Sequence, residues 1–300
     1  MAVELGFPSG DLSRCVDCAP TREARRDAVT AGLSLKPQHY VDAERCAVDG
    51  LWFEVHPENY MVAGGPRLGW LQTIRARHPL SLHGVGLSLA GDQDPDPDHL
   101  ARLCVLVQRF EPFLVSEHLA WSTWQGTYRP DLLPIPRTEE ALVRVTANVQ
   151  RTQDVLKRRI LVENPSHYLR IAGHDYAEVD FLSELSRRTD CGLLLDVNNV
   201  WVAAHNLGFD SNAYIDTFPG DRVAEVHLAG HSRDPVLGDA LLIDSHDAPI
   251  CPEVWRLYER LIERIGARPT LIERDDNLPP FETLLHERRS ADTLLRAVTS

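Results

Sequence analysis

The sequence predicts an α/β protein folded as a single (β/α)8 TIM barrel. Three observations support this fold class. The chain has 300 residues, which suits one barrel of about 250 residues better than one small domain. It contains short, nearly continuous apolar runs that alternate with segments of helical periodicity. No glycine-rich phosphate-binding turn follows the first run, which disfavours a doubly wound sheet as the alternative.

The apolar runs have the length and composition of strands that are buried on both faces of a parallel sheet. There are eight of them from residue 32 onward, which is the number that a closed barrel of this type requires. In chain order they are GLSL (32–35), LWFEV (51–55), PLSLHGVG (79–86), FLVSEH (113–118), RILVEN (159–164), GLLLDV (192–197), VAEVHLAG (223–230) and PTLIER (269–274).

The segments between the runs carry helix signals. Thr138 precedes a first turn rich in glutamate and is predicted to cap the following helix. Pro252 suits a helix start, and Gly266 suits the end of the same helix. The acidic, proline-rich stretch 91–99 is predicted to be a loop. Residues 1–28 lack an apolar period, so we expect an irregular N-terminal tail over 1–28 and a catalytic barrel domain over 29–300.

Composition excludes several classes of function. The chain has 31 basic and 44 acidic residues, and its net charge of −13 argues against a nucleic-acid or anionic-membrane binder. No apolar run is long enough to span a bilayer, and no secretory signal is evident at the N-terminus. The six cysteines are not densely spaced, which suits a reducing compartment, so we predict a cytoplasmic protein. Cys15 and Cys18 form half of a zinc ribbon, and a tail without metal is favoured for them.

Nearly every predicted strand ends in a side chain that can bind metal. In a barrel of this kind functional residues lie at the carboxyl ends of the strands. Imidazole together with carboxylate suits zinc, iron and manganese, and more ligands than one ion needs indicate a cluster of two or three ions. The candidates are His56, His83, Glu117, His118, Glu163, Asn164, Asp196, Asn199, His227 and Glu273, followed by Asp244 and His246 in the loop after the seventh strand.

Each candidate also has an ordinary structural interpretation. A lone histidine is more often a surface or packed residue, and we interpret His78, His99, His174 and His286 in that way. For Asp244, Ser245 and His246 taken alone, a polar loop is the better interpretation. His39 and His167 stay undecided, as do Trp121, Trp124 and Tyr128, which line a substrate groove or belong to a packed loop. For the strand-end set as a whole, burial without metal would leave unpaired charges at high cost.

Eight segments in order resemble the multinuclear non-haem iron-dependent oxidative enzymes, the family that includes the methanobactin-maturing oxidase. The resemblance covers residues from about 30 to 285. The segments are FEVHPENYM, LSLHGVGLSLAG, SEHLAWS, LVENPSHYL, LLLDVNNVWVAAHNLGFD, EVHLAGH, LIDSHDAP and LIERDDNLP.

This resemblance implies a TIM barrel that holds two or three irons in mixed Fe(II) and Fe(III) states and uses O2. It implies that the enzyme modifies cysteines of a ribosomally made precursor peptide, for example to oxazolone and thioamide groups, with a partner protein that presents the leader. It implies iron ligands among His56, His83, Glu117, Glu163, Asp196, His227, Asp244, His246 and Glu273. It implies second-tier roles, as ligands, hydrogen-bond partners or catalytic groups, for Asn164, Asn199, His118 and His205.

Other functions remain as alternatives. The ligand order more distantly resembles the endonuclease IV barrel, a metal-dependent phosphodiester hydrolase, but Asn199 stands where that barrel would place a histidine. The acidic net charge also disfavours that activity. A sugar isomerase of the xylose type is a weaker alternative, and a metal-storage module is the non-enzymatic one.

Overall fold

A computed structural model of the chain describes residues 29–124 and 127–299, and within these residues eight parallel strands close into a barrel. The predicted (β/α)8 barrel is therefore confirmed, and each of the eight predicted runs supplies one strand. The predicted tail, with Cys15 and Cys18, lies outside the described residues. The barrel strands are β1 (Ala31–Ser34), β2 (Phe53–Val55), β3 (Leu80–Gly84), β4 (Leu114–His118), β7 (Leu161–Glu163), β8 (Gly192–Asp196), β9 (Val223–Leu228) and β12 (Thr270–Ile272).

Helices follow the barrel strands and cover the outside of the sheet. Their apolar faces are buried against it, as amphipathic helices on a buried sheet require. The helices are α1 (Tyr40–Arg45), α2 (Pro66–Arg75), α3 (Pro97–Phe110), α4 (Glu139–Leu156), α5 (Glu178–Thr189), α6 (Val197–Leu207), α7 (Ser211–Thr217), α8 (Pro252–Ile265) and α9 (Phe281–Ala297), with 3-10 turns at Pro37–His39 and Pro57–Tyr60.

The predicted helix signals hold where the structure tests them. The Thr138 side chain accepts a hydrogen bond from the Ala141 N–H at 3.2 Å and caps α4. Helix α8 begins at Pro252 and ends at Ile265, and the residue that caps it is Gly266, whose φ of 76° lies in the positive-φ region that favours glycine. The predicted loop 91–99 is too long at its end, because Asp96 caps the Asp98 N–H and α3 already begins at Pro97.

Two antiparallel strand pairs were not predicted from the sequence. Strands β5 (Trp121–Trp124) and β6 (Thr127–Leu133) follow β4, and strands β10 (Ser232–Asp234) and β11 (Gly238–Ile243) follow β9. The Trp121 indole donates to the Pro134 carbonyl at 2.9 Å and packs against the core, whereas Tyr128 is exposed. The β10–β11 pair matters for the site because it leads directly into Asp244 and His246.

Candidate metal centre

The predicted ligands lie around the carboxyl-terminal mouth of the barrel, and strand geometry determines which of them meet. Side chains of successive strand residues point to opposite faces. His118 therefore faces the barrel interior, while the preceding Glu117 contacts the loop after β3. The strand register places His118 beside Glu163, and Asp196 beside His227. Residues that are far apart in sequence thus become neighbours at the mouth.

A first group of donor atoms is formed by His83, His118 and Glu163, all of which are buried. The Glu163 Oε2 lies 3.0 Å from the His83 Nε2 and 3.1 Å from the His118 Nε2, and the two Nε2 atoms are 3.3 Å apart. The His83 Nδ1 lies 2.8 Å from the Ser116 hydroxyl, and the His118 Nδ1 lies 2.9 Å from the Gly84 carbonyl. These contacts turn both Nε2 atoms toward the carboxylate, as outer hydrogen bonds do for metal-binding histidines.

A second group shares Glu163 with the first. Glu163, Asp196 and His227 offer donor atoms within 4.8 Å of one another. The Asp196 Oδ1 accepts the Asn199 N–H at 2.6 Å, while its Oδ2 has no hydrogen-bond partner among the described residues. The His227 Nδ1 lies 3.1 Å from the Glu273 Oε2. Because Glu163 belongs to both groups, its carboxylate would help to hold two adjacent cations.

A third set of donors lies nearer to solvent. The His246 Nε2 is 2.8 Å from the Asp244 Oδ1, and its Nδ1 is 3.5 Å from the Glu273 Oε2 and 3.6 Å from the Asp275 Oδ2. The Asp275 Oδ2 is also 3.9 Å from the His56 Nε2, and the Asp275 side chain is 35% exposed. This rim is the side from which a substrate can reach the group of donors.

The loop that carries Asp244 and His246 is held by specific contacts. The Asn198 amide donates to the Asp244 Oδ1 at 2.7 Å, and the Tyr168 hydroxyl accepts the Asp244 N–H at 3.1 Å. His231 contacts the Asn198 Oδ1 at 2.8 Å. His246 has a φ of 49°, a left-handed conformation that is uncommon for a residue other than glycine and that often marks functional positions.

The two predicted asparagines support the carboxylates. The Asn164 Oδ1 accepts the Asp196 N–H at 2.9 Å, and its amide donates to the Asp196 carbonyl at 3.1 Å. The Asn199 amide donates to the Glu163 Oε1 at 3.3 Å and to the Asn164 carbonyl at 3.1 Å. Both side chains thus hold the backbone and carboxylates of β7 and β8 in position.

The structure does not bring two of the predicted residues into these groups. The Glu117 carboxylate accepts the backbone N–H groups of Leu87 and His118, each at 3.1 Å, and so fixes the loop after β3. His205 is exposed on α6, where its Nε2 contacts the Asp239 carbonyl at 2.7 Å. Glu117 does not join because strand alternation directs its carboxylate to the loop after β3, so that it lies 3.9 Å from the His118 Nδ1 and not beside the Nε2 atoms of the group. His205 fails because it lies in the last turn of its helix.

Sequence reasoning missed three acidic residues near the centre. Asp275 follows the predicted ligand Glu273 by two residues and belongs to one group with it and His56. Glu54 and Glu225 lie deeper in the barrel and are 3% and 0% exposed. A signal was available, because each of these two precedes a predicted histidine ligand by two residues and shares its side of the strand.

Electrostatics in the first group favour charged imidazole beside charged carboxylate. Burial would lower the pKa of His118, but the Glu163 and Glu117 carboxylates outweigh this effect and raise it to about 10. Burial would raise the pKa of Glu163, but His118 and His83 lower it to about 2. A proton on the His118 ring therefore occupies a position that a metal cation would take.

The second group shows the same conflict between burial and charge. Burial would lower the pKa of His227, yet Glu54 and Glu273 raise it well above its usual range. Burial raises the pKa of Asp196 well above its usual range, and the nearby Asp244 carboxylate adds to the effect. This many carboxylates in one place is costly without a compensating cation.

The donor set fits a multinuclear metal centre. Several buried side-chain atoms at the mouth have no partner with hydrogen-bond geometry among the described residues, and such atoms cost free energy unless a cation or water satisfies them. Imidazole and carboxylate are ligands for iron, zinc and manganese. The unpartnered atoms are Glu163 Oε2, Asp196 Oδ2, His246 Nε2 and, one layer deeper, His227 Nε2 and Glu54 Oε2.

Comparison with known proteins shows the family. Residues 30–296 match the family described as RiPP precursor modification enzyme MbnB/TglH/ChrH, where RiPP denotes a ribosomally synthesised and post-translationally modified peptide. The chain belongs to this family. The predicted resemblance is thus confirmed. An enzyme that modifies a precursor peptide is the function that membership supports.

Two curated relatives from Caulobacter carry no activity in their names. A "UPF0276 protein" of Caulobacter sp. strain K31 is 64% identical over 266 residues, which cover 89% of this chain and 96% of the relative. A "UPF0276 protein" of Caulobacter vibrioides strain NA1000 / CB15N is 61% identical over 266 residues, with 89% and 95% covered.

Solved structures confirm the fold. A xylose isomerase-like TIM barrel protein from Mycobacterium smegmatis in complex with magnesium matches with a TM-score of 0.57 at 12% identity, covering 88% of each chain. Endonuclease IV from Thermus thermophilus matches with a TM-score of 0.53 at 18% identity, covering 87% of this chain and 98% of that one. In the described part of this family member, no helix is long and apolar enough to cross a membrane.

Proposed function

We propose that this chain is a multinuclear non-haem iron, O2-dependent oxidase that modifies cysteine residues of a ribosomally synthesised precursor peptide, to products of the oxazolone or thioamide type. A partner protein would present the leader of the peptide. Family membership supports the class of substrate. The observation that carries the proposal is the Glu163 carboxylate, which is shared by two groups of buried imidazole and carboxylate donors.

The residues divide the work by position. His83, His118 and Glu163 would hold one ion, and Glu163, Asp196, His227 and Glu273 would hold a second. Asp244 and His246 would hold a third or complete the second. Bound iron would supply Lewis acidity toward a cysteine thiolate and electrons for the reduction of O2.

The protein itself contributes orientation, exclusion of water and access. Asn164 and Asn199 fix the carboxylates of β7 and β8 by hydrogen bonds. His83, Glu163, Asp196 and His227 are at most 1% exposed, so this part of the site is dry. His56, at 22% side-chain exposure, lies beside Asp275 on the open rim, where the cysteine side chain of a peptide would enter.

Two measurements test the proposal. Protein purified from iron-supplemented cells is expected to contain about two to three iron atoms per chain. Stoichiometric zinc without iron would contradict the assignment and favour metal-assisted hydrolysis.

The second measurement addresses the substrate. Coexpression with a cysteine-bearing precursor peptide and its partner protein is expected to change the mass of the peptide, and the same peptide with its cysteines replaced by alanine is the matched control. Oxygen uptake that depends on the peptide would distinguish the oxidase from a metal-storage protein. An iron-loaded preparation that leaves the peptide unchanged and consumes no O2 would refute the proposal.

A further inference from the structure

A polar layer lies inside the barrel directly beneath the candidate metal centre. Glu54 on β2 and Glu225 on β9 are 3% and 0% exposed, and Ser81 on β3 is also fully buried. Barrel interiors of this kind are usually filled with branched apolar side chains. The Glu54 Oε2, the Ser81 Oγ and both Glu225 oxygens have no hydrogen-bond partner among the described residues. Burying carboxylates in this layer costs free energy, which an interaction with a polar or charged partner has to offset.

His227 connects this layer with the mouth, because its two ring nitrogens face different carboxylates. Its Nδ1 lies 3.1 Å from the Glu273 Oε2 at the strand ends. Its Nε2 lies 3.2 Å from the Glu54 Oε1 and 4.0 Å from the Glu225 Oε1 in the layer beneath. The contact with Glu54 is within hydrogen-bond distance but bent, and no other acceptor in the described part of the chain satisfies this nitrogen.

A neutral imidazole carries one proton, so only one of its nitrogens can bind a cation. The Nδ1 side holds the Glu273 carboxylate, and Glu163 and Asp196 belong to the same strand-end set. A cation held by this strand-end set, to which the Glu273 carboxylate beside Nδ1 belongs, favours a lone pair on Nδ1. The proton then belongs on Nε2, where Glu54 is the nearest acceptor.

We propose that Glu54 is a positioning residue that accepts a hydrogen bond from the Nε2–H of His227 and thereby directs Nδ1 toward the metal. Metal-binding histidines commonly donate their other N–H to a carboxylate, which fixes the ring and the tautomer. The inference rests on the proposed function, because it requires metal at the strand ends. It assigns Glu54 a role that acts through His227 and not through direct contact with the ion.

Cobalt(II) titration of the metal-free protein, in competition with a chromogenic chelator, tests this role. Glu54→Gln removes the charge of the acceptor while keeping its shape, and we expect the affinity for cobalt to fall by about 10- to 100-fold. The visible spectrum of bound cobalt should also change, since the ring that binds it is then held only by a weaker, neutral acceptor. The matched control is Glu178→Gln, the same change at a partly buried glutamate on α5, which should alter neither.

A double-mutant cycle separates positioning from direct binding. Once His227→Ala has removed the ring, adding Glu54→Gln should cause no further loss of cobalt affinity. Losses that multiply would show that Glu54 binds the ion itself and would overturn the inference, as would wild-type affinity and spectrum in Glu54→Gln. If Glu54→Gln does not fold, Glu54→Asp, which keeps the charge but withdraws it, serves in the same cycle with the same two outcomes. A wild-type chain that binds no metal would instead refute the proposed function and this inference together.

Discussion

Two clusters of histidine and glutamate, one buried at the barrel mouth and one partly buried beside α5, differ in how completely their polar atoms are paired. At the barrel mouth, the Glu163 Oε2, the Asp196 Oδ2 and the His246 Nε2 lack hydrogen-bond partners among the described residues. At the start of α5, the Glu178 Oε1 accepts a hydrogen bond from the Tyr214 hydroxyl. The Glu178 Oε2 accepts one from the Arg137 guanidinium and also contacts the His167 Nε2. None of the atoms of this second cluster is among the unpartnered ones.

The comparison shows that the candidate site is distinguished by metal-binding atoms without hydrogen-bond partners, and not by the volume of a cavity. The α5 cluster lines a cavity of about 740 Å³, together with residues that include Arg170, Phe209 and Thr217. Its charges are nevertheless neutralised by each other, so it needs no cation. The mouth carries an excess of carboxylates whose pairing is incomplete, and a cation is the group that would complete it. His167, which the sequence left undecided, therefore belongs to a structural ion cluster.

The largest difference between the two clusters is expected from the same substitution made in each. Glu163→Gln removes the charge shared by two groups of donors and should reduce bound iron from about two to three atoms to less than one per chain. Glu178→Gln should keep the iron and lower the free energy of unfolding by about 1–3 kcal/mol, because the Arg137 and His167 contacts are weakened. Metal analysis and thermal unfolding of both variants measure the two effects.

One result for this pair of variants would contradict the proposed difference between the clusters. If Glu178→Gln lost iron as completely as Glu163→Gln, pairing would not distinguish the clusters. A Glu163→Gln variant with full iron content would show that the donors at the mouth have another purpose.

A smaller loss is expected at the rim. Asp244→Ala removes one donor of the third set and leaves the buried His83, His118 and Glu163 group intact. We expect the loss of about one iron per chain and a small fall in melting temperature, because the Asn198 amide loses its Asp244 acceptor. His83→Ala, measured in parallel, should lose at least as much iron. Full iron content and turnover in both variants would mean that the site has been misplaced.

The sequence predicted the barrel and most of the mouth because both follow from local patterns. Apolar runs give the strands, and the residue that ends each run lies at the mouth by topology alone. Glu117 was predicted as a ligand with His118 since both end the same run, yet a strand presents only one of two successive residues to the interior. Glu54 and Glu225 were not predicted, because the candidates were taken from the ends of the strands and these two residues lie within them. An apolar run does not indicate whether an acidic residue inside it faces the barrel interior.

The pairing at the mouth also predicts a pH dependence. Burial would lower the pKa of His118, but without metal the Glu163 carboxylate raises it to about 10. Carboxylates likewise outweigh burial at His227 and raise its pKa. Both rings therefore hold protons at neutral pH, and a metal that binds must displace them. Apparent metal affinity should rise with pH by about tenfold per unit for each displaced proton, and the contribution of His118 should level off only near pH 10.

Cobalt competition at several pH values, with the chelator calibrated at each, measures this slope. A flat profile would indicate that the rings carry no protons that compete with metal. The α5 cluster should not contribute, so Glu178→Gln is expected to give the same slope as the wild-type chain.

The smallest expected effect concerns Glu117, which shares one property with each of the two clusters. Its carboxylate is buried like those at the mouth, but backbone N–H groups of Leu87 and His118 satisfy it, as Glu178 is satisfied. Glu117→Gln keeps one acceptor oxygen and should cost about 1–2 kcal/mol of folding free energy through the loop after β3, with iron content unchanged. Denaturant unfolding and metal analysis measure both quantities. Loss of an iron from this variant would instead support the role as a ligand that the sequence predicts, and it would show that a satisfied carboxylate at this mouth can exchange its backbone partners for a metal.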